Sequence, residues 1–311
     1  MKHTTTSVSS LSLLALATAA TLTSDALAGA PAKPAPKESG ALLEKLNATV
    51  EVGYDSAYYF RGLWFSNNNV WEGLTLSLPV NEQLSFTLGT VYTSSTLTNI
   101  PARFNGGTQG RLKYSELDLI AGASFDAGFA KFGLIYTYYN FFDTFSGSMG
   151  GGTFGNAKDQ DSTVKSAQDL GLTVSKSFGP VNATVGAWYD FKVNGKYFEA
   201  AVDCPIEVTS WLSVVPSVVT GYGMDYYTYA NINGSGSVLN AEKPGKSDGF
   251  TSVRTAISTP IKLTDSATFT PYVAVNFSGS SRYVSPNNAS GLNSVEGQND
   301  FYFGGKMSLS F

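Results

Sequence analysis

Two acidic residues, Glu116 and Asp118, have the types and the spacing that could carry out chemistry. Positions i and i+2 of a β-strand share a face, so the two carboxylates would lie side by side as in a general acid/base pair. A polar wall along a strand produces the same spacing. A second acidic stretch, Asp159-Gln160-Asp161-Ser162, offers oxygen ligands to a hard cation but lacks the EF-hand pattern, and we interpret it as a solvated loop.

Histidine and cysteine limit the other chemistries. The sequence has one histidine, His3, and one cysteine, Cys204. Because His3 lies in a predicted export signal, we expect neither a Ser/His or Cys/His nucleophile system nor a His-ligated metal in the mature chain. A single cysteine allows no internal disulfide and no thiolate cluster. We therefore expect no enzymatic activity, no metal and no cofactor.

The composition excludes two further classes of protein. Only 14% of the 311 residues are charged, whereas soluble domains average about a quarter. No apolar run reaches the roughly 18 residues that a membrane helix needs. The net charge of −4 argues against a nucleic-acid partner, which would require a basic surface.

The first 46 residues differ in character from the rest of the chain. Residues 1–28 are typical of a signal peptide, with Lys2, an apolar stretch from Leu11 to Leu22 and a small-residue cleavage site at Ala26-Leu27-Ala28. Residues 29–46 are rich in Pro and Lys and predict a periplasmic leader. The β-domain is predicted to be residues 47–311.

From residue 47 onward the polarity alternates with a period of two residues, which is typical of half-buried strands. The alternation predicts twelve strands: 48–60, 70–79, 83–93, 113–125, 129–141, 167–178, 181–192, 196–206, 211–225, 249–259, 266–278 and 299–311. The prolines Pro205, Pro216 and Pro271 lie inside these segments and predict local irregularities.

The links between the predicted strands are unequal in length. They are short on one side, as at Asn81-Glu82 and Gly179-Pro180, and mostly long and polar on the other, as at 61–69, 94–112 and 142–166. An even number of strands with this asymmetry indicates an all-β, transmembrane, antiparallel up-and-down barrel in the outer membrane of a Gram-negative-type envelope. A secreted sandwich of two stacked sheets is the alternative.

The alternation also assigns the lipid-facing side, which would contact outer-membrane lipid. In the first strand Val50, Val52 and Tyr54 share that side. Aromatic residues near strand ends predict the interfacial girdles of a barrel: Tyr58, Tyr59, Trp64, Trp71, Tyr92, Tyr138, Trp188, Tyr189, Tyr222, Tyr226 and Tyr227. The last strand ends on Phe311 and resembles the signal read by the barrel assembly machinery, which we expect as a partner.

One segment carries a family resemblance. GYDSAYYFRG, residues 53–62, resembles the first-strand signature of the TorF-like porin family, a group of bacterial outer-membrane barrels. ELDLIAG from Glu116 and YTYYN from Tyr136 are similar to the next hairpin of that family, and KYFEA around Glu199 is a weaker match. The resemblance covers the first half of the barrel, and where the family has Gln this chain has Glu72. It implies an outer-membrane location and a pore.

The opposite side of each strand would line the lumen. The alternation along each strand places nine acidic and five basic residues on this side. They are Glu51, Asp55, Glu116, Asp118, Asp169, Asp190, Glu199, Asp203 and Asp300, with Arg61, Lys131, Lys192, Arg254 and Lys306. These are the candidate pore-lining residues, and their acidic excess favours cations. Small lumen-facing residues such as Gly171 and Gly186 would leave space. We therefore expect an open, narrow porin-like channel for passive diffusion of small neutral or cationic solutes. The alternative is a non-conducting barrel with structural or adhesive loops.

Overall fold

The computed structural model is all-β, and the residues that it describes form sixteen strands. It describes residues 46–95, 98–100, 110–112, 114–142, 166–227, 246–279 and 299–311, so the predicted signal peptide and most of the predicted leader lie outside the described residues. The strands are β1 (Asn47–Phe60), β2 (Leu63–Pro79), β3 (Leu84–Ser95), β4 (Thr98–Ile100), β5 (Gly110–Leu112), β6 (Ser115–Asp126), β7 (Lys131–Phe141), β8 (Ser166–Phe178), β9 (Val181–Asp190), β10 (Gly195–Asp203), β11 (Ile206–Thr209), β12 (Leu212–Tyr227), β13 (Lys246–Ser258), β14 (Ile261–Lys262), β15 (Ala267–Ser278) and β16 (Asn299–Ser310).

Twelve antiparallel strands form a closed barrel. Neighbours in the chain pair in order, β1 pairs with β16 and β10 pairs with β12, so the sheet has no free edge. The short β11 and β14 continue β10 and β13 along the same walls, and β4 pairs with β5 in a separate two-stranded sheet. The predicted twelve-stranded barrel is confirmed. No helix among the described residues is long and apolar enough to cross a membrane.

The outer surface of the barrel is apolar. On β8, Leu170, Leu172 and Val174 are 39%, 61% and 37% exposed, whereas Asp169 and Thr173 between and beside them are buried. Large exposed apolar side chains recur in the same alternating way on the other strands. A two-layer sandwich would cover these side chains with a second sheet. Their exposure on a closed barrel identifies a surface solvated by hydrocarbon, and the chain is an outer-membrane β-barrel.

Short polar residues close the turns at one end of the barrel, as the sequence indicates. Asn81 Oδ1 accepts hydrogen bonds from the backbone N–H groups of Gln83 and Leu84 at 2.8 and 2.7 Å. Asp126 Oδ1 accepts from the N–H of Gly128 at 2.8 Å. These side chains satisfy backbone donors that a two- or three-residue turn leaves without strand partners.

Two of the predicted proline irregularities lie opposite interruptions in a neighbouring strand. Pro205 lies in the gap between β10 and β11, and Pro216 of β12 faces that gap. Pro271 of β15 faces the gap between β13 and β14. Proline has no backbone N–H and so brings no unpaired donor to the gap, and the carbonyls of Pro216 and Pro271 accept from the N–H groups of Cys204 and Thr259 at 3.1 and 2.9 Å.

The first hairpin departs from the sequence-based expectation. Residues 61–69 were expected to form a long outer loop, but β2 begins at Leu63 and only Arg61 and Gly62 connect it to β1. The two strands remain paired up to Phe60 and Leu63. This segment forms a strand because it pairs with the end of β1. It needs no partner in the barrel wall.

Candidate functional site: the lumen and the hairpin that crosses it

The upper part of the β1–β2 hairpin, residues 56–68, leaves the barrel wall. Pairing of β1 with β16 ends at Asp55, although β16 continues five residues further, and pairing of β2 with β3 ends at Asn69. Ser56 Oγ accepts a hydrogen bond from the backbone N–H of Phe303 at 2.9 Å. This bond gives a backbone donor of β16 an acceptor at the point where β1 leaves the wall. A register shift between Tyr58 and Tyr59 follows. We call residues 56–68 the lumen hairpin.

The tip of the lumen hairpin is a two-residue turn. Arg61 and Gly62 have φ values of 51° and 82°, and positive φ at both central positions defines a type I′ turn. Asn or Gly normally occupies the first of these positions, because a side chain in the left-handed region costs about 1 kcal/mol or more. A Cβ on Gly62 would lie 2.4 Å from Ser252 Oγ of β13, so the tip lies directly against the wall.

Arg61 reaches the side of the barrel opposite its own strand. Its Nη2 donates to Asp169 Oδ2 of β8 at 2.6 Å, and its Nη1 donates to the Tyr226 hydroxyl of β12 at 2.9 Å. Its Cζ lies 5.1 and 5.0 Å from the ring centroids of Trp188 and Tyr197, on β9 and β10. β9 is six places from β1 in either direction round the twelve-stranded ring. The lumen hairpin therefore spans the full width of the barrel.

The four wall residues around the guanidinium, Asp169, Trp188, Tyr197 and Tyr226, form a continuous site that we call the Arg61 socket. The Tyr197 ring lies 5.9 Å from the Trp188 ring and 5.4 Å from the Tyr226 ring, centroid to centroid. Tyr139 of β7 donates a hydrogen bond to Asp169 Oδ2 at 2.9 Å. All four socket residues are buried, and Asp169 is fully so. The arrangement combines a carboxylate, a hydroxyl and aromatic faces, which together bind a planar cation.

Two lumen-facing glycines shape the socket. A Cβ on Gly171 or Gly186 would lie 2.3 Å from the Trp188 ring, which occupies the space above both backbones. Their small size and lumen-facing positions predicted open space in the channel. That expectation is wrong, because their missing side chains accommodate the indole of Trp188 instead.

The paired carboxylates Glu116 and Asp118 lie on the lumen side of β6. Tyr114 donates a hydrogen bond to Glu116 Oε2, and Tyr58 of the lumen hairpin donates to the same oxygen at 3.5 Å. Glu116 is 3% exposed and Asp118 is fully buried. The two carboxylates thus face the hairpin, and one of them helps to hold it.

A second group of aromatic residues fills the lumen beside the departing strand. Tyr59, Trp71, Tyr272, Ala274 and Tyr302 form one buried cluster, in which the Tyr59 and Tyr302 rings are 5.2 Å apart. The Tyr272 hydroxyl donates to Asp55 Oδ1 at 2.5 Å. This cluster supports the base of the lumen hairpin.

Nearer the short-turn end, a separate ion pair crosses the closing seam. Lys306 Nζ of β16 donates to Glu51 Oε1 of β1 at 3.0 Å, and Ser308 Oγ donates to the same oxygen at 2.6 Å. The pair joins the first and last strands below the lumen hairpin.

Most of the sequence-predicted pore-lining residues point into the barrel. Those that the structure buries or half-buries on the lumen side are Glu51, Asp55, Arg61, Glu116, Asp118, Asp169, Asp190, Glu199, Asp203, Arg254 and Lys306. Lys131 lies half-buried at the short-turn end of β7, and the side chain of Asp300 lies outside the described side chains. Lys192 was assigned wrongly, because it is exposed in the turn between β9 and β10. There Asp190 Oδ1 accepts the backbone N–H groups of Lys192 and Val193, at 2.8 and 3.1 Å.

Several aromatic residues expected in the interfacial girdles lie in the lumen instead. Tyr58, Tyr59, Trp71, Trp188 and Tyr226 are each 6% exposed or less. Their positions near strand ends fitted a girdle, but the register shift in β1 and the lumen-facing parity of the others turn them inward. Parity alone indicated this for Trp188, which alternates with the exposed Val185 and half-buried Ala187.

Acidic residues outnumber basic residues in the lumen. Among the described residues the buried carboxylates are Asp55, Glu116, Asp118, Asp169, Asp190 and Asp203, and the buried cations are Arg61, Arg254 and Lys306. Six acids thus face three bases. No group of three or more Asp, Glu, His or Cys among these described residues has the geometry to hold a metal ion.

Comparison with solved structures supports the fold. The translocator domain of the autotransporter NalP from Neisseria meningitidis superposes with a TM-score of 0.53 at 9% sequence identity, covering 88% of this chain and 90% of that one. This chain has an outer-membrane barrel fold. An outer-membrane channel from Pseudomonas putida F1 matches with a TM-score of 0.48 at 10% identity, over 90% of this chain and 100% of that one. No protein-family model matches the chain, and no curated protein matches it either.

Proposed function

We propose that this chain forms an outer-membrane channel for the passive diffusion of small neutral or cationic solutes. The observation that carries the proposal is the contrast between the two surfaces of the barrel. The outer surface is apolar, whereas the lumen buries six carboxylates and three cations among the described residues. Burying charge without water or partners is costly, and a polar, charged lumen is typical of barrels whose interior holds water.

The lumen hairpin makes this channel a gated one. It crosses the barrel near the long-loop ends of β7, β8 and β12, where it contacts Tyr139, Asp169 and Tyr226. Two hydrogen bonds from Arg61, to Asp169 and Tyr226, join it to the far wall, and water in the lumen can replace such bonds. We infer that the hairpin narrows the lumen when docked and opens it when released.

A second candidate function is favoured by the same hairpin. A barrel whose lumen is permanently crossed at one level is a non-conducting scaffold that presents its long loops outside the cell. Reconstitution in planar bilayers separates the two functions. The channel proposal predicts stable current steps and a reversal potential of the sign for cation preference in a KCl gradient. Silence of both the wild type and a hairpin-releasing variant would support the scaffold, and anion preference would contradict the acidic-lumen argument.

The family and assembly assignments are proposals that rest on the sequence. The first-strand segment 53–62 supports membership of the TorF-like porin family. The exposed terminal Phe311, whose backbone exchanges hydrogen bonds with Ala48 at 2.9 and 3.3 Å, supports recognition by the barrel assembly machinery. Deleting Phe311 would then lower the amount of folded protein in the outer membrane of cells more than it lowers refolding in detergent.

A further inference from the structure

We propose that the Arg61 socket is a binding site for the guanidinium group of a permeating solute, and that Arg61 occupies this site when the solute is absent. The inference rests on the proposed channel function and names the class of solute that the channel recognises. The side chain of Arg61 then marks where a guanidinium binds and in which orientation.

The contacts of Arg61 are those that a free guanidinium would make. The two terminal nitrogens donate hydrogen bonds to Asp169 and Tyr226, at 2.6 and 2.9 Å. The Trp188, Tyr197 and Tyr226 rings lie 5.1, 5.0 and 5.9 Å from its central carbon. A carboxylate combined with aromatic faces selects a planar, weakly hydrated cation over a compact ammonium.

The socket is built by the wall and not by the hairpin. Its four residues lie on β8, β9, β10 and β12, and three of them pack on one another through their rings. Trp188 lies over Gly171 and Gly186, which fixes its position independently of Arg61. Glu199 accepts a hydrogen bond from the Tyr197 hydroxyl at 3.1 Å, so a second carboxylate lies behind the ring. Removal of Arg61 therefore leaves a formed site with uncompensated negative charge.

The turn itself does not require arginine. A type I′ turn is best served by Asn or Gly at the first central position, and Arg61 adopts its φ of 51° at an energetic cost. The arginine is therefore better explained by the socket than by the turn. The same strain weakens the docked state, which makes Arg61 easier for a solute to displace.

Displacement predicts a measurable difference between the wild type and a variant that lacks Arg61. A ligand that needs an empty socket has its apparent affinity reduced by the fraction of molecules in which the socket is empty. If Arg61 occupies the socket in nine molecules of ten, its removal raises the apparent affinity about tenfold. We expect a gain of about tenfold or more.

The test is calorimetric titration of detergent-folded protein with methylguanidinium. Arg61→Asn and Arg61→Gly both suit the positive φ of the turn, so failure of one to fold leaves the other. Both variants are expected to bind methylguanidinium about tenfold or more tightly than the wild type. N-methylurea has the same shape without the charge, and methylammonium has the charge without the planar fork. Both probes are expected to bind at least severalfold more weakly. The double variant Arg61→Asn/Asp169→Asn is the matched control and is expected to lose the gain.

The outcomes distinguish this inference from the channel proposal. Equal methylguanidinium affinity in the wild type and in both folded single variants would overturn the inference, as would retention of the gain in the Asp169→Asn control. Equal binding of N-methylurea would overturn it too. Because calorimetry needs no conduction, methylguanidinium binding by a barrel that is silent in bilayers would support the site and reject the channel. A conducting barrel that does not bind methylguanidinium would support the channel and reject the site.

Discussion

Replacing Arg61 with Asn is expected to release the lumen hairpin and increase conduction. Arg61 is 5% exposed and its partner Asp169 is fully buried, and the two are joined at 2.6 Å. Breaking a buried ion pair by removing one partner typically costs about 3–5 kcal/mol, because the other charge stays buried without compensation. Asn is better tolerated than Arg at positive φ, which recovers about 1 kcal/mol. The net loss of roughly 2–4 kcal/mol applies to the docked state.

A loss of that size changes the equilibrium between docked and released hairpin by roughly 30-fold to several hundred-fold, since about 1.4 kcal/mol corresponds to a factor of ten. Single-channel recording in planar bilayers measures this as open probability or as the frequency of the larger conductance level. Lys196→Asn is the matched control, because Lys196 is exposed on β10. Its substitution removes one positive charge outside the socket. Identical open probability in the wild type and in folded Arg61→Asn protein would show that the Arg61–Asp169 pair does not hold the hairpin across the lumen.

Three further predictions concern the lumen and the lipid face. Asp203→Asn removes a buried lumen carboxylate and is expected to shift the reversal potential in a KCl gradient toward zero, and an unchanged potential would contradict a role in selectivity. Leu172→Arg places a charge on the 61% exposed outer face of β8 and is expected to lower the free energy of unfolding in lipid by about 2–4 kcal/mol, measured by urea titration. An unaffected stability would place Leu172 outside the hydrocarbon layer. Gly186→Ala introduces a Cβ 2.3 Å from the Trp188 ring, so we expect lower thermal stability and altered tryptophan fluorescence, and a variant with neither change would show that the indole lies elsewhere.

The barrel was predictable from the sequence because every strand has hydrocarbon on one side and the polar lumen on the other. Apolar and polar residues must therefore alternate along each strand. Leu172 faces hydrocarbon and Thr173 faces the lumen, and a shift of one residue would exchange them. This alternation has a clear period of two residues, and the twelve predicted segments coincide with the twelve strands of the barrel wall. The short turns were predictable for a local reason, since Asn81 and Asp126 bond to the backbone two or three residues away.

The lumen hairpin was not predictable because its cause is not local. Arg61-Gly62 lacks the Asn-Gly or Asp-Gly signal of a two-residue turn. The contact that places the tip joins Arg61 to Asp169, which are 108 residues apart. Alternation shows which face of a strand is polar, but it carries no information on whether the strand stays in the wall. The register shift at Tyr58 and Tyr59, which turns both rings inward, has no signal in the alternation either.

The role of the lumen glycines likewise could not be predicted from their own strands. Gly171 is small at a lumen-facing position, which is equally consistent with open space and with close packing. The choice depends on the Trp188 ring, which comes from the adjacent strand and lies over the Gly171 backbone. Pairwise complementarity between residues on different strands is invisible to a reading of one strand at a time.

A disulfide between the tip of the lumen hairpin and the wall shows whether the hairpin crosses the lumen. A Cβ at Gly62 would lie 2.8 Å from Ser252 Cβ, so a small shift of the tip brings Gly62→Cys and Ser252→Cys within bonding range. The native Cys204 is replaced with Ser, and the control pairs Gly62→Cys with Val253→Cys, whose side chain faces outward and is 38% exposed. After mild oxidation of the folded protein in membranes and proteolysis, mass spectrometry is expected to find the 62–252 linked peptide and no 62–253 peptide. Absence of the 62–252 link in folded, oxidised protein would show that the hairpin stands in the wall and does not cross the lumen.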